Sequence, residues 1–250
     1  MKHNEYYYIP AEQIEDDHII FKGSEYKHMT IVTRKNPRDI IHVVDGVGND
    51  YTVLLTDIDK KSARGIIQKR TRYTGESNFK LTLAQAVPRG SRFELVLEKC
   101  TELGVSEFIP LITENTMMKI NETKNKRWKN ITIASIKQCG RSVLPQISQA
   151  KSFNDFMQDS KIYDFKLIAH PETGAKSLSK SISDIKKKLT SITRFKNGII
   201  LVGPEAGFTL AEVALAKSNL YIPFNLGNRR LRSETAGIVS TAIMMEMIES

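Results

Sequence analysis

From residue 80 onward the chain repeats one pattern: an apolar run of four to six residues, a stretch with helical spacing, then another apolar run. Runs that short are strands, and strands alternating with helices need crossover connections, which build a mainly parallel sheet. The runs lie at 81–86, 107–112, 166–169, 198–202 and 221–224. Between the first two, Ser91 and Glu94 form an S-x-x-E capping box ahead of Phe93, Val96, Leu97, Cys100 and Leu103, and Gly104 supplies the stop. A second helix is predicted from Asn121 to Gly140, with Trp128, Ile131, Ser135, Ile136 and Cys139 on one face. Thr209 and Glu212 form another capping box, and an apolar helix from about Ser233, its N-cap, to Ile248 closes the chain.

The first part of the sequence has a different rhythm. Residues 40–70 alternate short β-like runs around the turn-rich 45–50, as a small antiparallel meander or barrel does, and 72–78 reads as a linker. The expected organisation is a β-rich module at 1–72 and an α/β module at 73–250. A chain of 250 residues buries enough surface to fold without disulfide or metal. Its longest apolar runs fall far short of the ~20 residues of a membrane span, and residues 1–10 have no signal-peptide pattern. Cys100 and Cys139 form no CxxC pair, and no Cys/His spacing suits a metal. The expectation is a cytoplasmic protein without membrane or metal. Its 37 Lys and Arg against 28 Asp and Glu give +9, which favours a polyanionic partner such as nucleic acid.

Two segments stand out for chemistry. The run at 198–202 leads into Gly203-Pro204-Glu205-Ala206-Gly207-Phe208 and a capped helix. In open α/β sheets ligands bind where loops leave the carboxyl ends of strands. The loop matches neither GxGxxG nor a phosphate-binding GxxxxGK[ST] loop, which disfavours NAD and ATP; alone, it equally fits an ordinary tight connection. Some twenty residues later comes Asn225-Leu226-Gly227-Asn228-Arg229-Arg230-Leu231-Arg232-Ser233-Glu234-Thr235-Ala236, three arginines in four positions ahead of a helix start that attracts anions.

The combination LAQAVPRGSRFELVLEKCTELGVSEFIPL, KQCGRS, LIAHPE, LVGPEAGF and LGNRRLRSETA, in this order, is very similar to the ribosomal RNA small subunit methyltransferase E family. The resemblance spans nearly the whole chain and is densest from Lys80 to Ala236. It implies a SPOUT-class α/β domain whose C-terminal trefoil knot binds S-adenosylmethionine, a PUA-like N-terminal β-barrel that contacts RNA, and a homodimer. The implied reaction is N3-methylation of one uridine in the decoding region of 16S ribosomal RNA within the small subunit. Carried over by motif, Leu201, Val202, Gly203, Pro204, Glu205 and Gly207 line one side of the cofactor pocket, Leu226, Gly227, Arg230, Leu231 and Arg232 the other, and Thr235 and Ala236 close it. Two departures matter: Ala206 replaces a glycine of the family pattern GPEGGF, costly if that position needs φ > 0, and Glu5 stands where the family carries an arginine.

Uracil N3 carries a weakly acidic proton, so attack on a methyl group needs a general base or cations that stabilise the developing anion. Arg232 is the first choice for the cation. Glu234 fits either a base or a structural partner of the helix dipole. RNA contacts are expected from His28 and Arg34 of the KHMTIVTR segment, from Lys69, Arg70 and Arg72, from Arg89, from Lys126 and Arg127 beside Trp128, and from Arg141. Tyr6, Tyr7 and Tyr8 either stack on bases or pack into the core. The rival readings are a methyltransferase acting on another base or a ribose 2'-hydroxyl, and a non-catalytic RNA-binding ribosome-assembly protein.

Overall fold

The structure is a computed structural model describing residues 5–116, 122–158, 163–188 and 196–250. Residues 1–4 and Asn121, the expected first residue of the second helix, lie outside the described residues. The chain divides into two compact units, one of residues 1–76 and 133–144, the other of 77–132 and 145–250. The first unit therefore extends past the expected boundary at residue 72 and takes in a segment far along the chain.

In the first unit, β1 (Tyr6–Tyr8), β2 (Ile14–Glu15), β3 (His18–Phe21), β4 (Ile40–Val44), β5 (Asn49–Ile58) and β6 (Ala63–Arg72) form one sheet in the order β1-β4-β5-β6-β3-β2, with α1 (Gly23–Lys27) after β3. The meander of β4, β5 and β6 is antiparallel, as the alternating runs predict. The sheet is a half-barrel, with β1 and β2 unpaired to each other among the described strands. Tyr7 is fully buried with Ile19, Phe21, Val43 and Val53, and its hydroxyl lies 2.6 Å from that of Thr33, so the middle tyrosine is core. The predicted linker is not a free tether. Arg141 donates through Nη2 to Glu76 at 2.8 Å, with only 3% of its side chain exposed, and Ser142 N donates to Thr74 O at 3.0 Å. These bonds draw residues 140–144 into the first unit. They also bury Arg141, expected at RNA, and commit its guanidinium to Glu76.

The second unit is α/β around a parallel sheet. Its elements are β7 (Lys80–Ala86), α2 (Arg92–Glu102), β8 (Val105–Ile112), α3 (Glu122–Cys139, whose last residues belong to the first unit), β9 (Gln146–Ile147), β10 (Lys151–Ser152) and α4 (Phe153–Met157). Then come β11 (Phe165–Ala169), β12 (Lys176–Ser177), α5 (Leu178–Lys188), β13 (Asn197–Val202), α6 (Leu210–Ser218), β14 (Ile222–Asn225) and α7 (Ser233–Glu249). The strand order is β10-β8-β7-β13-β11-β14-β12, with β9 beside β8, and every pair is parallel. Helices cover both faces, so the central strands are apolar on both sides. Along β13, Ile200 and Val202 join the cluster that includes Phe93, Leu97 and Met244, while Ile199 and Leu201 face Phe153, Val213 and Tyr221. No helix among the described residues is long and apolar enough to cross a membrane.

Two predicted helix starts are corrected. Ser91 precedes α2 but makes no side-chain cap. The Glu94 carboxylate that would complete the box instead accepts from Arg127 Nη2 at 2.6 Å. Ser233 is the first residue of α7, not its N-cap; Arg232 holds the cap position in extended conformation. The Thr209 and Glu212 capping box forms as predicted, with both reciprocal bonds present.

Candidate functional site

Strands β13, β11 and β14 are neighbours in the sheet and parallel, so the loops leaving their carboxyl ends emerge side by side. Residues 169–171, 202–208 and 224–231, with Ser233 and Ala236 of α7, enclose a cleft of about 490 Å³. That volume lies within the range of small-molecule sites. Its lining joins apolar Val202, Phe208, Leu226, Leu231 and Ala236 to the polar groups of Glu205, Asn225 and Arg230.

Hydrogen bonds hold the walls together. Ser233 Oγ donates to Gly203 O at 2.5 Å and accepts from Gln85 Nε2 at 2.7 Å, tying the first turn of α7 to the 203–208 loop and to β7. This is why Ser233 does not cap its helix: its hydroxyl serves the loop instead. One turn on, α7 passes so close to β7 that a Cβ at Gly237 would meet Gln85 Oε1 at 2.5 Å, which explains a glycine inside a helix. Arg230 Nη2 donates to Glu205 O at 3.0 Å, joining the two glycine loops across the cleft mouth.

The loop glycines have distinct backbone demands. Gly207 (φ +80°) and Gly227 (φ +96°) adopt left-handed conformations, whereas Ala206 has no positive φ. The alanine that departs from the family pattern therefore carries no backbone strain, because the residue needing glycine's freedom is its neighbour. Where a Cβ would stand at Gly207 or Gly227 there is no atom within 4 Å.

Glu205 is the electrostatic centre of the rim. Its carboxylate accepts from Arg89 N at 3.2 Å and from Arg92 Nη1 at 2.9 Å. Burial pushes its pKa up, but bonds from its own and the Arg89 backbone amides, together with the charges of Arg92 and Arg89, outweigh burial and hold it below the ordinary carboxylate value.

Of the residues expected at the cofactor pocket, Val202, Gly203, Pro204, Glu205, Gly207, Leu226, Gly227, Arg230, Leu231 and Ala236 line this cleft. Leu201 does not: strand alternation turns its side chain into the apolar cluster on the opposite face. Thr235 is also outside the lining. Arg232 is exposed between the lining residues Leu231 and Ser233. Glu234 is buried and faces α2, its Oε1 3.8 Å from Arg92 Nε and its Oε2 without a hydrogen-bond partner. Ala169, His170, Pro171, Phe208, Phe224, Asn225, Asn228 and Arg229 also line the cleft. LIAHPE and the 225–229 stretch carried that signal, since each directly follows an apolar run. Arg92 was missed altogether.

The other residues expected at RNA are dispersed. Arg34, Lys69, Arg70, Arg72, Arg89, Lys126 and Arg127 are exposed, with Arg127 paired to Glu94 and Arg70 stacked 5.0 Å from the Tyr51 ring centroid. His28 is half-buried, its Nδ1 buried without a partner. Glu5, in place of the family's arginine, pairs with Lys35 at 3.3 Å. Among the described residues no group of three or more His, Cys, Asp or Glu side chains could hold a metal ion.

Residues 75–245 match the RNA methyltransferase domain family. The chain is 30% identical over 244 residues to ribosomal RNA small subunit methyltransferase E of Synechocystis, covering 97% of this chain and 77% of that one. To the protein of the same name in Bacillus subtilis it is 27% identical, covering 91% and 89%. Its fold is similar to the crystal structure of ribosomal RNA small subunit methyltransferase E from Neisseria gonorrhoeae bound to S-adenosylmethionine, with a TM-score of 0.83, 27% identity and 98% of each chain covered.

Proposed function

Because the chain belongs to the ribosomal RNA small subunit methyltransferase E family, we propose that it methylates N3 of a uridine in the decoding region of 16S ribosomal RNA, using S-adenosylmethionine held in the cleft above β13, β11 and β14. The observation that carries this reading is the cleft itself: it is of small-molecule size, and its two left-handed glycines open onto empty space. A methyl donor with an adenosyl and an amino-acid arm needs both apolar wall and backbone polar groups. Val202, Leu226, Leu231 and Ala236 supply the first, and the loops at 203–207 and 225–229 the second. When bound, the sulfonium of this cofactor supplies an electrophilic methyl group and its own leaving group.

The chain's remaining task is orientation and charge. Arg232, exposed beside the cleft, is the group we assign to the uracil carbonyls or the flanking phosphate as N3 loses its proton. A base role for Glu234 is less well supported than a structural one, because its carboxylate is buried against Arg92. RNA is gripped by His28, Arg34, Lys69, Arg70, Arg72, Arg89, Lys126 and Arg127, acting in the cytoplasm where small subunits are assembled. In the same proposal the second unit carries the trefoil knot of its class and the half-barrel is PUA-like. The protein works as a homodimer; sedimentation at micromolar concentration is expected to show twice the 28.3 kDa chain mass, and a monomer removes that element.

The test is nucleoside mass spectrometry of unmethylated small subunits and of naked 16S RNA after incubation with the protein and S-adenosylmethionine. N3-methyluridine is expected in the subunit, and Arg232→Ala is expected to lower its rate of formation at least tenfold. A different methylated nucleoside would replace the target, and no methylation despite cofactor binding would favour another RNA.

A further inference from the structure

Arg92 has no part in the expected site, yet it stands between two carboxylates that the chain keeps far apart in sequence. Its Nη1 donates to Glu205 Oε1 at 2.9 Å, and its Nε lies 3.8 Å from Glu234 Oε1. The two glutamates are held very differently. Glu205 is exposed at the tip of the 203–208 loop, which forms one wall of the cleft and whose Gly203, Pro204 and Phe208 are buried. Glu234 has 8% of its side chain exposed, in the first turn of the seventeen-residue α7, where the helix dipole favours a negative charge. Its Oε2 is buried with no partner, and Arg92 is its one ion-pair partner among the described residues. A carboxylate so buried cannot follow a moving loop, and it keeps a strong demand for a counter-charge.

We propose that Arg92 is a positioning residue, which spans Glu205 and Glu234 and so anchors the exposed tip of the cofactor loop to the buried start of α7. The span uses two different nitrogens of one planar fork. The guanidinium reaches the two carboxylates from two separate nitrogens of a rigid plane, whereas a lysine in its place would have to reach both from a single nitrogen on a shorter side chain. The loop is held from its other side by Ser233 Oγ on Gly203 O and by Arg230 on Glu205 O, so Arg92 completes a frame around it. Glu234 thereby acquires a role as the fixed end of the span. Arg92 acts on the cofactor through Glu205 and does not touch the reacting atoms.

The proposal rests on the cofactor reading of the cleft, and calorimetry with S-adenosylmethionine tests the two separately. The series is the wild-type chain, Arg92→Ala, Arg92→Lys, Glu205→Gln, and Arg92→Ala combined with Glu205→Gln. Arg92→Ala is expected to weaken cofactor binding three- to tenfold, and Arg92→Lys nearly as much. The double variant is expected to be no worse than the weaker single one, because both remove the same span. Glu205→Gln should keep its melting temperature within about 4 °C of wild type, since that pair is partly exposed and contributes little to global stability, whereas Arg92→Ala, which takes the ion-pair partner from the buried Glu234, should melt lower. Wild-type affinity in Arg92→Ala, full recovery by lysine, or additive losses in the double variant would overturn the proposal while leaving the cleft as the cofactor site. A wild-type chain that binds no S-adenosylmethionine would overturn both.

Discussion

Gly227→Val is expected to abolish measurable binding of S-adenosylmethionine, with affinity falling at least about a hundredfold, equivalent to roughly 2.7 kcal/mol. Two effects act together. Gly227 has φ +96°, where a β-branched side chain is a steric outlier costing about 1–3 kcal/mol. The added methyls also enter space that is empty of protein atoms within 4 Å of the Cβ position, in the lining of the cleft. Because the loop is exposed, the strain is relieved by moving the loop, not by unfolding the sheet beneath it. The melting temperature should therefore change little while binding is lost. Ala206→Gly is the control on the facing loop. Alanine there already adopts an unstrained φ, so glycine is expected to leave affinity within about threefold of wild type. Calorimetry decides between the outcomes: a Gly227→Val chain that binds as tightly as wild type would show that the cofactor lies elsewhere.

The five longer strands of the second unit were legible because both faces of a parallel sheet are buried, and the two-residue β9, β10 and β12 were not. Each run, from 81–86 to 221–224, is apolar at nearly every position, and each has its strand within a residue or two. The site was legible at its two glycine loops for the same reason: they follow directly on such runs. What local sequence does not encode is which strands become neighbours. His170 and Pro171 join the cleft only because β11 lies between β13 and β14. Side-chain commitments across the fold were hidden in the same way. The S-x-x-E pattern at Ser91 is a sound local signal, but Glu94 finds an arginine 33 residues away. Ser233 has the chemistry of a cap, and a carbonyl 30 residues back claims its hydroxyl. Both serines were read correctly as standing at helix starts, and incorrectly in what their side chains do there. The burial of Arg141 was hidden too, because a basic residue in a basic protein reads as surface until its partner is known.

That partner underlies the second large effect: Glu76→Ala is expected to destabilise the protein by about 3–5 kcal/mol. Glu76 is nearly buried and carries four bonds. Arg141 Nε reaches its Oε1 and Oε2 at 3.2 and 3.3 Å, Arg141 Nη2 reaches Oε2 at 2.8 Å, and Val143 N donates to Oε1 at 2.9 Å. Removing the carboxylate takes three of these bonds from a guanidinium that is 3% exposed and the fourth from a backbone amide. An uncompensated buried charge costs more than the pair contributed, so the loss is set by desolvation. Against a total stability of 5–15 kcal/mol typical of natural domains, this is a large fraction. Thermal and urea unfolding of Glu76→Ala should show an early transition in which the first unit melts, because the pair draws residues 140–144 into that unit. Replacing both partners, Glu76→Leu with Arg141→Met, is expected to recover much of the loss, since two apolar groups of similar length leave no stranded charge. The same double variant tests whether Arg141 is structural or contacts RNA. If its guanidinium is structural, RNA affinity and the salt dependence of binding stay those of the wild type. A shallower salt dependence, by the equivalent of one phosphate contact, would return Arg141 to the RNA surface.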